Sequence, residues 1–285
     1  AFVLRGKHAV AVCDDPVPRI YAHLWGADAV VTPEAVLGET FDLALAVDVG
    51  DRGRLGRAAA VFDRALHTAQ VDHHGTNPGY AHINHLQTPL SATGVLAERV
   101  IDALGVPIDL EIARCLYIAV VTDTGNFKQQ NTDAAALRLG ARCLDAGVDP
   151  SAETRRVFDL RPLNQTKLLG RALSNLEVFE GESLALMPLK REDFAKTGAA
   201  PEHTEGLVNF AINTEGVRIA CLISEQDASA KCSLRAVPPF DVARIAIPLG
   251  GGGHTLAAGC VLPLPFEEAY ETIRAAMRRE LDRLA

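Results

Sequence analysis

The segment 71–79 has the sequence VDHHGTNPG and places one aspartate and two histidines side by side. Asp72, His73 and His74 follow an apolar residue and precede a turn-rich run. Carboxylate and imidazole groups are suitable ligands for Mn²⁺, Mg²⁺ or Fe²⁺, whereas a set without thiolates is less typical of structural zinc. A polar loop that happens to contain two histidines is the alternative interpretation. The choice between them depends on whether other acidic residues gather beside these three.

Two further aspartates follow apolar residues elsewhere in the first half of the chain. Asp48 lies in the run 41–51, and Asp123 lies in the run 110–125. A single aspartate in such a place is better explained by a turn or a helix cap. Together with residues 72–74, however, the two aspartates predict a cluster at one edge of a sheet. Two divalent ions roughly 3.5–4 Å apart at such an edge would bind both the attacking and the leaving oxygen of a phosphoryl transfer.

A glycine-rich segment in the second half has a different chemistry. The stretch 249–259, LGGGGHTLAAG, contains four consecutive glycines followed by His254. Glycines allow the backbone to approach a ligand closely and present N–H groups to an anion, while a flexible linker is the alternative. Lys231, Ser233 and Arg235 alternate along one predicted strand and therefore share a face. Facing the glycines, they would form a phosphate pocket with Arg235 as a bidentate donor.

These side chains must be positioned by the elements between them. Apolar strands alternate with helical patterns in the first half, which predicts an α/β domain with a mainly parallel sheet flanked by helices. Ligands of such sheets bind at the carboxyl ends of the strands. The predicted strands are 8–13, 29–31 and the run 41–51. The predicted helices are 91–105, capped by Ser91, the apolar 110–125, and 131–147, capped by Asn131 or Thr132.

The composition changes after the first half of the chain. Residues 1–150 form the predicted catalytic domain, and 151–179 are a charged helical connector. Residues 180–285 form a smaller α+β domain. Its predicted strands are 183–189, 217–226 and 230–237, with a helix around 203–213.

The overall composition limits the class of protein. The chain has 285 residues, of which 48% are hydrophobic and 22% charged, as in globular proteins. A net charge of −8 argues against a broad nucleic-acid-coating surface or long-duplex binding but allows a small anionic substrate. Six cysteines without CxxC spacing predict reduced thiols, buried at Cys115, Cys143 and Cys221, and a cytoplasmic location. No apolar stretch approaches the roughly 20 residues of a membrane span, so no membrane association is expected.

The order of VDVGD, VDHHGTNPG, VTDTGNF, CSLRAV and LGGGGHTLAAG resembles that of the DHH/DHHA1 phosphoesterase family. The tripeptide DHH alone is weak evidence, but five segments in this order and spacing are specific and cover nearly the whole chain. Within the family the chain is most similar to the NrnA-type branch. That branch pairs oligoribonuclease with phosphoadenosine-phosphate phosphatase activity. The resemblance implies an N-terminal DHH domain and a C-terminal DHHA1 domain that binds substrate.

The resemblance also implies roles for individual residues. Asp48 would bridge two metal ions, His73 and Asp123 would complete the shell of one ion, His74 would face the scissile phosphate, and Asp72 would orient the histidines. The implied reaction is metal-assisted hydrolysis, usually with two Mn²⁺ ions, by attack of hydroxide on phosphorus. The residues that would hold the distal nucleotide or its terminal phosphate are Arg235, His254, Gly251, Gly252 and Gly253.

One motif of the family is missing from this sequence. The family has a histidine and an Asp-x-Asp pair before its first crossover helix, and Asp14-Asp15 comes too late to supply them. We expect that motif to precede Ala1. If it did not, the protein would be a degenerate relative that binds nucleotides without cleaving them.

The expected substrates are very short RNA or DNA, dinucleotides and 3′-phosphoadenosine 5′-phosphate, with cyclic di-AMP as the alternative. Substrate would be held in a cleft between the domains, and a homodimer is compatible with this interpretation.

Overall fold

A computed structural model describes residues 1–284 of the chain. The chain divides into two compact units, Ala1–Leu160 and Arg161–Ala285. The first unit is α/β with a parallel sheet, and the second is α+β with a larger mixed sheet. This agrees with the fold class predicted from the sequence.

The sheet of the first unit has three parallel strands in the order β1 (Leu43–Val47), β2 (His67–Asp72) and β3 (Ile83–Leu86). Val47 is paired with Val71, so β1 and β2 end at the same level. The backbone N–H of Asp48 extends this ladder by donating to the carbonyl of Val71 at 3.0 Å. The acidic residues that follow the two strands are therefore neighbours at one edge of the sheet.

Five helices accompany this sheet: α1 (Ala59–Phe62), α2 (Thr93–Ala103), α3 (Leu110–Asp123), α4 (Ala134–Asp145) and α5 (Pro150–Thr154), the last followed by a π-helical turn at Arg155–Asp159. The apolar faces of α2, α3 and α4 pack together into one core. Its fully buried members include Val95, Val120 and Leu139. The close packing of α2 on α3 depends on Gly94, because a Cβ there would lie 3.0 Å from the Cβ of Ala119. The core thus fixes the first turn of α2 against the last turns of α3.

The first forty residues form less regular structure than predicted. The strands expected at 8–13 and 29–31 are reduced to one parallel bridge between Val12 and Val31. Among the described residues this bridge has no further strand beside it, so a continuous apolar run alone did not suffice to make a strand. Asp14 does not point to a ligand site, because its carboxylate accepts hydrogen bonds from the backbone and side chain of Arg57.

The predicted helices are present, but their caps differ. Ser91 does not cap α2, which begins at Thr93 after an Ala92 N-cap without a side-chain hydrogen bond; Ser91 is buried. Asp133, rather than Asn131 or Thr132, caps α4 by accepting from the N–H of Ala136 at 2.7 Å. A carboxylate aligned with the first-turn N–H groups is the stronger acceptor there.

The sheet of the second unit has six strands in the order β4, β5, β6, β7, β9, β8. Strands β5 and β6 are parallel and every other pair is antiparallel. The predicted strands at 183–189, 217–226 and 230–237 are confirmed as β5, β6 and β7. The bounds are β4 (Glu177–Phe179), β5 (Leu184–Leu189), β6 (Ile219–Glu225), β7 (Ala230–Ala236), β8 (Gly252–His254) and β9 (Ala257–Leu262).

Helices cover the two faces of this sheet unequally. One face is covered along much of its length by α9 (Ala243–Ala246) and α10 (Phe266–Asp282). On the other face, α6 (Leu163–Ser174) packs on β5, α8 (Val208–Ile212) contacts β5, β6 and β7, and α7 (Arg191–Thr197) follows β5. The helix that contacts β8 and β9, α9, belongs to the first face.

Two other expectations concern burial. Cys143 and Cys221 are buried as predicted, but Cys115 is exposed because it lies on the outer side of α3. Among residues 1–284, no helix combines the length and apolar character needed to cross a bilayer.

Candidate metal centre and substrate face

Asp48 lies directly after β1 in a conformation that few non-glycine residues adopt. Its φ is 62°, in the left-handed region, where aspartate is one of the better tolerated residues. This turn brings the carboxylate back over the strand ends instead of continuing the strand. The side chain accepts one hydrogen bond, from the hydroxyl of Thr93 at 2.7 Å.

His73 has a fixed ring orientation. Its Nδ1 lies 3.0 Å from the carbonyl oxygen of Leu90, which can only accept, so Nδ1 carries the proton. Nε2 is then left with its lone pair. It lies 3.6 Å from Oδ1 of Asp48 and 3.8 Å from Oδ2 of Asp123. These distances are too long for direct hydrogen bonds. A neutral imidazole nitrogen that faces two carboxylates is instead suited to bind a cation together with them.

His74 is held by Asp72. Nδ1 of His74 donates to Oδ1 of Asp72 at 2.7 Å and lies 3.9 Å from Oδ1 of Asp48. Gly50 makes this position possible, because a Cβ at Gly50 would come within 2.9 Å of the His74 ring. The second ring nitrogen of His74 is thereby left available for a ligand or substrate.

Asp72 is buried at the end of β2, with its side chain fully shielded. Burial alone would raise its pKa, but hydrogen bonds from Asn77 and His74 outweigh it and lower the pKa below the usual value. The amide of Asn77 donates to Oδ2 at 2.6 Å. Asp72 therefore stays ionised while it orients His74. The sequence interpretation missed Asn77, although its place in DHHGTN was the available signal.

Asp123 is the last residue of α3, which confirms the helix predicted over 110–125. Burial and then the charge of Asp48 raise the pKa of its carboxyl above the usual value, despite the nearby histidines. Thr93 lines the same cavity as Asp48 and Asp123, and it was not identified from the sequence.

We call Asp48, His73, His74 and Asp123 the metal cluster. Ligand atoms of its first three members all lie within 4.8 Å of one another. The two imidazoles each have one nitrogen bonded to an acceptor, and among the described residues neither carboxylate forms an ion pair with an arginine or a lysine. Oxygen and imidazole donors of this kind fit Mn²⁺ or Mg²⁺. The residues present therefore fit a divalent cation site.

A second candidate region is the outer part of the second sheet, from β7 through β9 to β8. Arg235 of β7 and His254 of β8 are both paired with Ala257 of β9, so the three side chains lie in one row on one face. Ser233 lies in the next row, opposite Gly259, and Lys231 in the row after that, opposite Val261. We call this region the open strand face; it comprises Lys231, Ser233, Arg235, Gly252, His254, Ala257, Gly259 and Val261.

The glycines of this region serve mainly the close approach of β8 to β9. A Cβ at Gly251 would lie 2.1 Å from the carbonyl oxygen of Gly259, and one at Gly253 would lie 2.5 Å from Cα of Ala258. The N–H of Gly251 is already bonded to the carbonyl of Ala246 at 2.9 Å. The sequence had suggested that this N–H group is presented to an anion, but it is already bonded within the protein. Gly252, like Gly250, has open space beside it.

The polar side chains of the open strand face differ in burial. Arg235 is half-buried, donates to the carbonyl of Leu234 at 2.9 Å, and has its pKa lowered by burial. Lys231 and His254 are exposed, and within residues 1–284 neither forms an ion pair. A shallow pocket of about 310 Å³ lies beside Lys231, Ser233 and Gly251, outside the Arg235 row.

Comparison with known proteins identifies relatives of this chain. Residues 185–282 match the DHHA1 domain. Over 214 residues the chain is 34% identical to the bifunctional oligoribonuclease and PAP phosphatase NrnA of Thermus thermophilus. This match covers 75% of the chain and 64% of the relative, so the chain spans less than two thirds of that protein's length. A probable bifunctional oligoribonuclease and PAP phosphatase NrnA of Streptococcus mutans is 23% identical over 218 residues, covering 76% and 69% of the two chains.

A solved structure shows the same fold. The crystal structure of an exopolyphosphatase-related protein from Bacteroides fragilis has a TM-score of 0.88 and 24% identity to this chain. The likeness covers 97% of this chain and 84% of the other.

Proposed function

We propose that this chain is a member of the DHH/DHHA1 phosphoesterase family and a metal-dependent phosphodiesterase that hydrolyses short oligonucleotides and dinucleotides. 3′-Phosphoadenosine 5′-phosphate is a further proposed substrate. The observation that carries this proposal is the convergence of the metal cluster at the ends of β1, β2 and α3. The names of the NrnA relatives support the substrate class. The unpaired cysteines support a reducing, cytoplasmic setting.

Asp48, His73 and Asp123 are the proposed ligands. Two divalent ions, which we propose to be Mn²⁺, would lower the pKa of a water molecule and neutralise charge on the phosphate. Asp48 is the residue that both ions would share, because its carboxylate lies nearest to the other members of the cluster. His73 contributes Nε2, and the carbonyl of Leu90 keeps the proton on the other nitrogen.

His74 and Asp72 are the proposed pair that acts on the phosphate itself. Asp72 accepts a hydrogen bond from Nδ1–H of His74, which leaves Nε2 of His74 to face the substrate. A protonated Nε2 would donate a charge-assisted hydrogen bond to a phosphate oxygen. The ionised Asp72 stabilises the charged imidazole, as carboxylates do beside catalytic histidines.

The open strand face is the proposed binding surface for the far end of the substrate. Arg235 supplies a bidentate donor for a terminal phosphate, and its half-buried position limits competition from water. His254 lies in the same row, and Gly252 leaves room for a sugar or base beside it. Lys231 and Ser233 extend the polar surface along β7.

A turnover panel tests this proposal. The purified protein would be assayed with a ribodinucleotide, a longer single-stranded RNA, cyclic di-AMP and 3′-phosphoadenosine 5′-phosphate. Each assay would be run with Mn²⁺, with Mg²⁺ and with EDTA. We expect Mn²⁺-dependent hydrolysis that is fastest on the dinucleotide.

The outcomes separate the alternatives. Preference for cyclic di-AMP would replace the proposed substrate, and tight nucleotide binding without any turnover would make the protein a binding protein. An Asp48→Asn preparation serves as the control for contaminating nuclease, because a contaminant would remain active in it.

A further inference from the structure

We propose that Thr93 is a positioning residue that holds the carboxylate of Asp48 in the orientation that receives the cations. This inference rests on the proposed function and adds to the metal cluster a residue that ligates nothing itself. It follows from three features of the structure: the exposure of Asp48, the hydroxyl of Thr93 and the rigidity of the helix that carries it.

The carboxylate of Asp48 would otherwise be free to turn. Its side chain is 46% exposed, and only its backbone N–H is fixed, by the carbonyl of Val71. Within the described part of the chain, the Thr93 hydroxyl at 2.7 Å is the one group that donates a hydrogen bond to this carboxylate. The left-handed backbone of Asp48 sets the direction of the side chain, and Thr93 sets its rotation.

Thr93 offers its donor from an immobile position. Its hydroxyl binds Asp48, and its side chain lines the same cavity as Asp123. Thr93 is only 3% exposed and is the first residue of α2, so the positive end of the helix dipole adds to its contact with Asp48. A neutral hydroxyl fixes the carboxylate without introducing a positive charge that would compete with a cation.

The position of Thr93 is determined by helix packing. Gly94, the next residue, lets α2 approach α3 so closely that a Cβ would come within 3.0 Å of Ala119. Asp123 lies on the same helix as Ala119, one turn later. The contact between α2 and α3 therefore fixes the distance between Thr93 and Asp123 before any cation binds. Such supporting contacts reduce the reorganisation that ligand binding requires.

Two substitutions at Thr93 separate the hydroxyl from the shape of the side chain. Thr93→Val keeps the shape and the backbone N–H but removes the hydroxyl, while Thr93→Ser keeps the hydroxyl. Thr122→Val is the matched control, because the hydroxyl of Thr122 donates only to the carbonyls of Ile118 and Ala119 in its own helix. All variants and the wild type would be titrated with Mn²⁺ by calorimetry, and their melting temperatures measured without metal.

We expect Thr93→Val to weaken Mn²⁺ binding about 10- to 100-fold, as is typical when a group that supports a ligand is removed. Thr93→Ser should retain most of the wild-type affinity, and Thr122→Val should be unchanged. Metal-free melting temperatures of the two valine variants should be similar. The loss of steady-state turnover in Thr93→Val should become smaller as the Mn²⁺ concentration is raised.

Wild-type Mn²⁺ affinity in Thr93→Val would overturn this role and leave the proposed function standing. Equal weakening in Thr93→Ser and Thr93→Val would also overturn it, since the hydroxyl would then not be the cause. Failure of the wild-type protein itself to bind Mn²⁺ would overturn the proposed function, and with it the role of Thr93.

Discussion

The metal cluster and the open strand face are built in opposite ways. In the cluster three of the four side chains are fixed by another group: Thr93 holds Asp48, the carbonyl of Leu90 holds His73, and Asp72 holds His74. On the open strand face the side chains follow from strand alternation, and His254 has no such partner among the described residues. The first region is arranged in advance, whereas the second can adjust to its ligand.

This difference matches the chemistry proposed for each region. A small displacement of a reacting group lowers the reaction rate steeply, so rigid support is favourable in the metal cluster. A surface that binds the end of a nucleotide benefits instead from side chains that accommodate different bases. The comparison predicts that substitutions in the metal cluster reduce turnover on every substrate, while substitutions on the open strand face reduce it only on substrates that reach that face.

The largest effect is expected for Asp48→Asn. Loss of the shared carboxylate should reduce Mn²⁺-dependent hydrolysis at least about 10³-fold, because metal stabilisation contributes several kcal/mol and each 1.36 kcal/mol is about a factor of ten. The measurement is kcat/KM on a dinucleotide and on bis-p-nitrophenyl phosphate. Asp15→Asn is the control, since Asp15 is an exposed carboxylate with the same charge. Activity within a few-fold of wild type would contradict the ligand assignment.

The next effect is expected for His74→Ala. Removing the proposed phosphate donor should lower kcat about 10²- to 10³-fold on both substrates, within the usual range for a positioned acid or base. Metal content, measured by mass spectrometry after dialysis against Mn²⁺, should stay close to wild type. If metal is lost in proportion to activity, His74 is a ligand, and the division of roles between the two histidines is wrong.

The sequence predicted that the members of the metal cluster lie close together, but it did not predict the residues that hold them in place. Asp48 and residues 72–74 were placed together because parallel strands end at one edge, and the pairing of Val47 with Val71 realises this. Asp123 joins them from the end of α3, the helix that the apolar run 110–125 predicted.

The contacts of Thr93 and Asn77 depend on tertiary packing, which no local pattern encodes. For the same reason the single bridge between Val12 and Val31 was not foreseen in place of two strands. Strand alternation, in contrast, placed Lys231, Ser233 and Arg235 on one face correctly, because side-chain direction in a strand is a local property.

A smaller effect is expected for Arg235→Ala on the open strand face. The lost charge-assisted hydrogen bonds are worth roughly 1.5–3 kcal/mol, which corresponds to about 10- to 100-fold in kcat/KM. The loss should appear on a dinucleotide with a terminal phosphate and be nearly absent on bis-p-nitrophenyl phosphate. An equal loss on both substrates would mean that Arg235 acts in folding or at the metals, and the contrast between the two regions would fail.

The smallest effect is expected for Lys231→Ala, and it sharpens the comparison within the open strand face. Lys231 is four residues from Arg235 on the same strand, roughly 13 Å away, and is exposed where Arg235 is half-buried. An exposed charge contributes only about 0.2–1 kcal/mol, so kcat/KM for a dinucleotide should fall no more than about fivefold.

The effect of Lys231→Ala should also depend on salt. An exposed charge is screened over about 10 Å at 0.1 M salt and about 3 Å at 1 M, whereas a half-buried guanidinium is screened much less. The kcat/KM ratio of wild type to variant should therefore approach one at high KCl for Lys231→Ala and remain large for Arg235→Ala. Measuring both variants in the same KCl series tests this. If the two ratios fall together, then Arg235 also acts as an exposed charge, and burial does not distinguish the two ends of the open strand face.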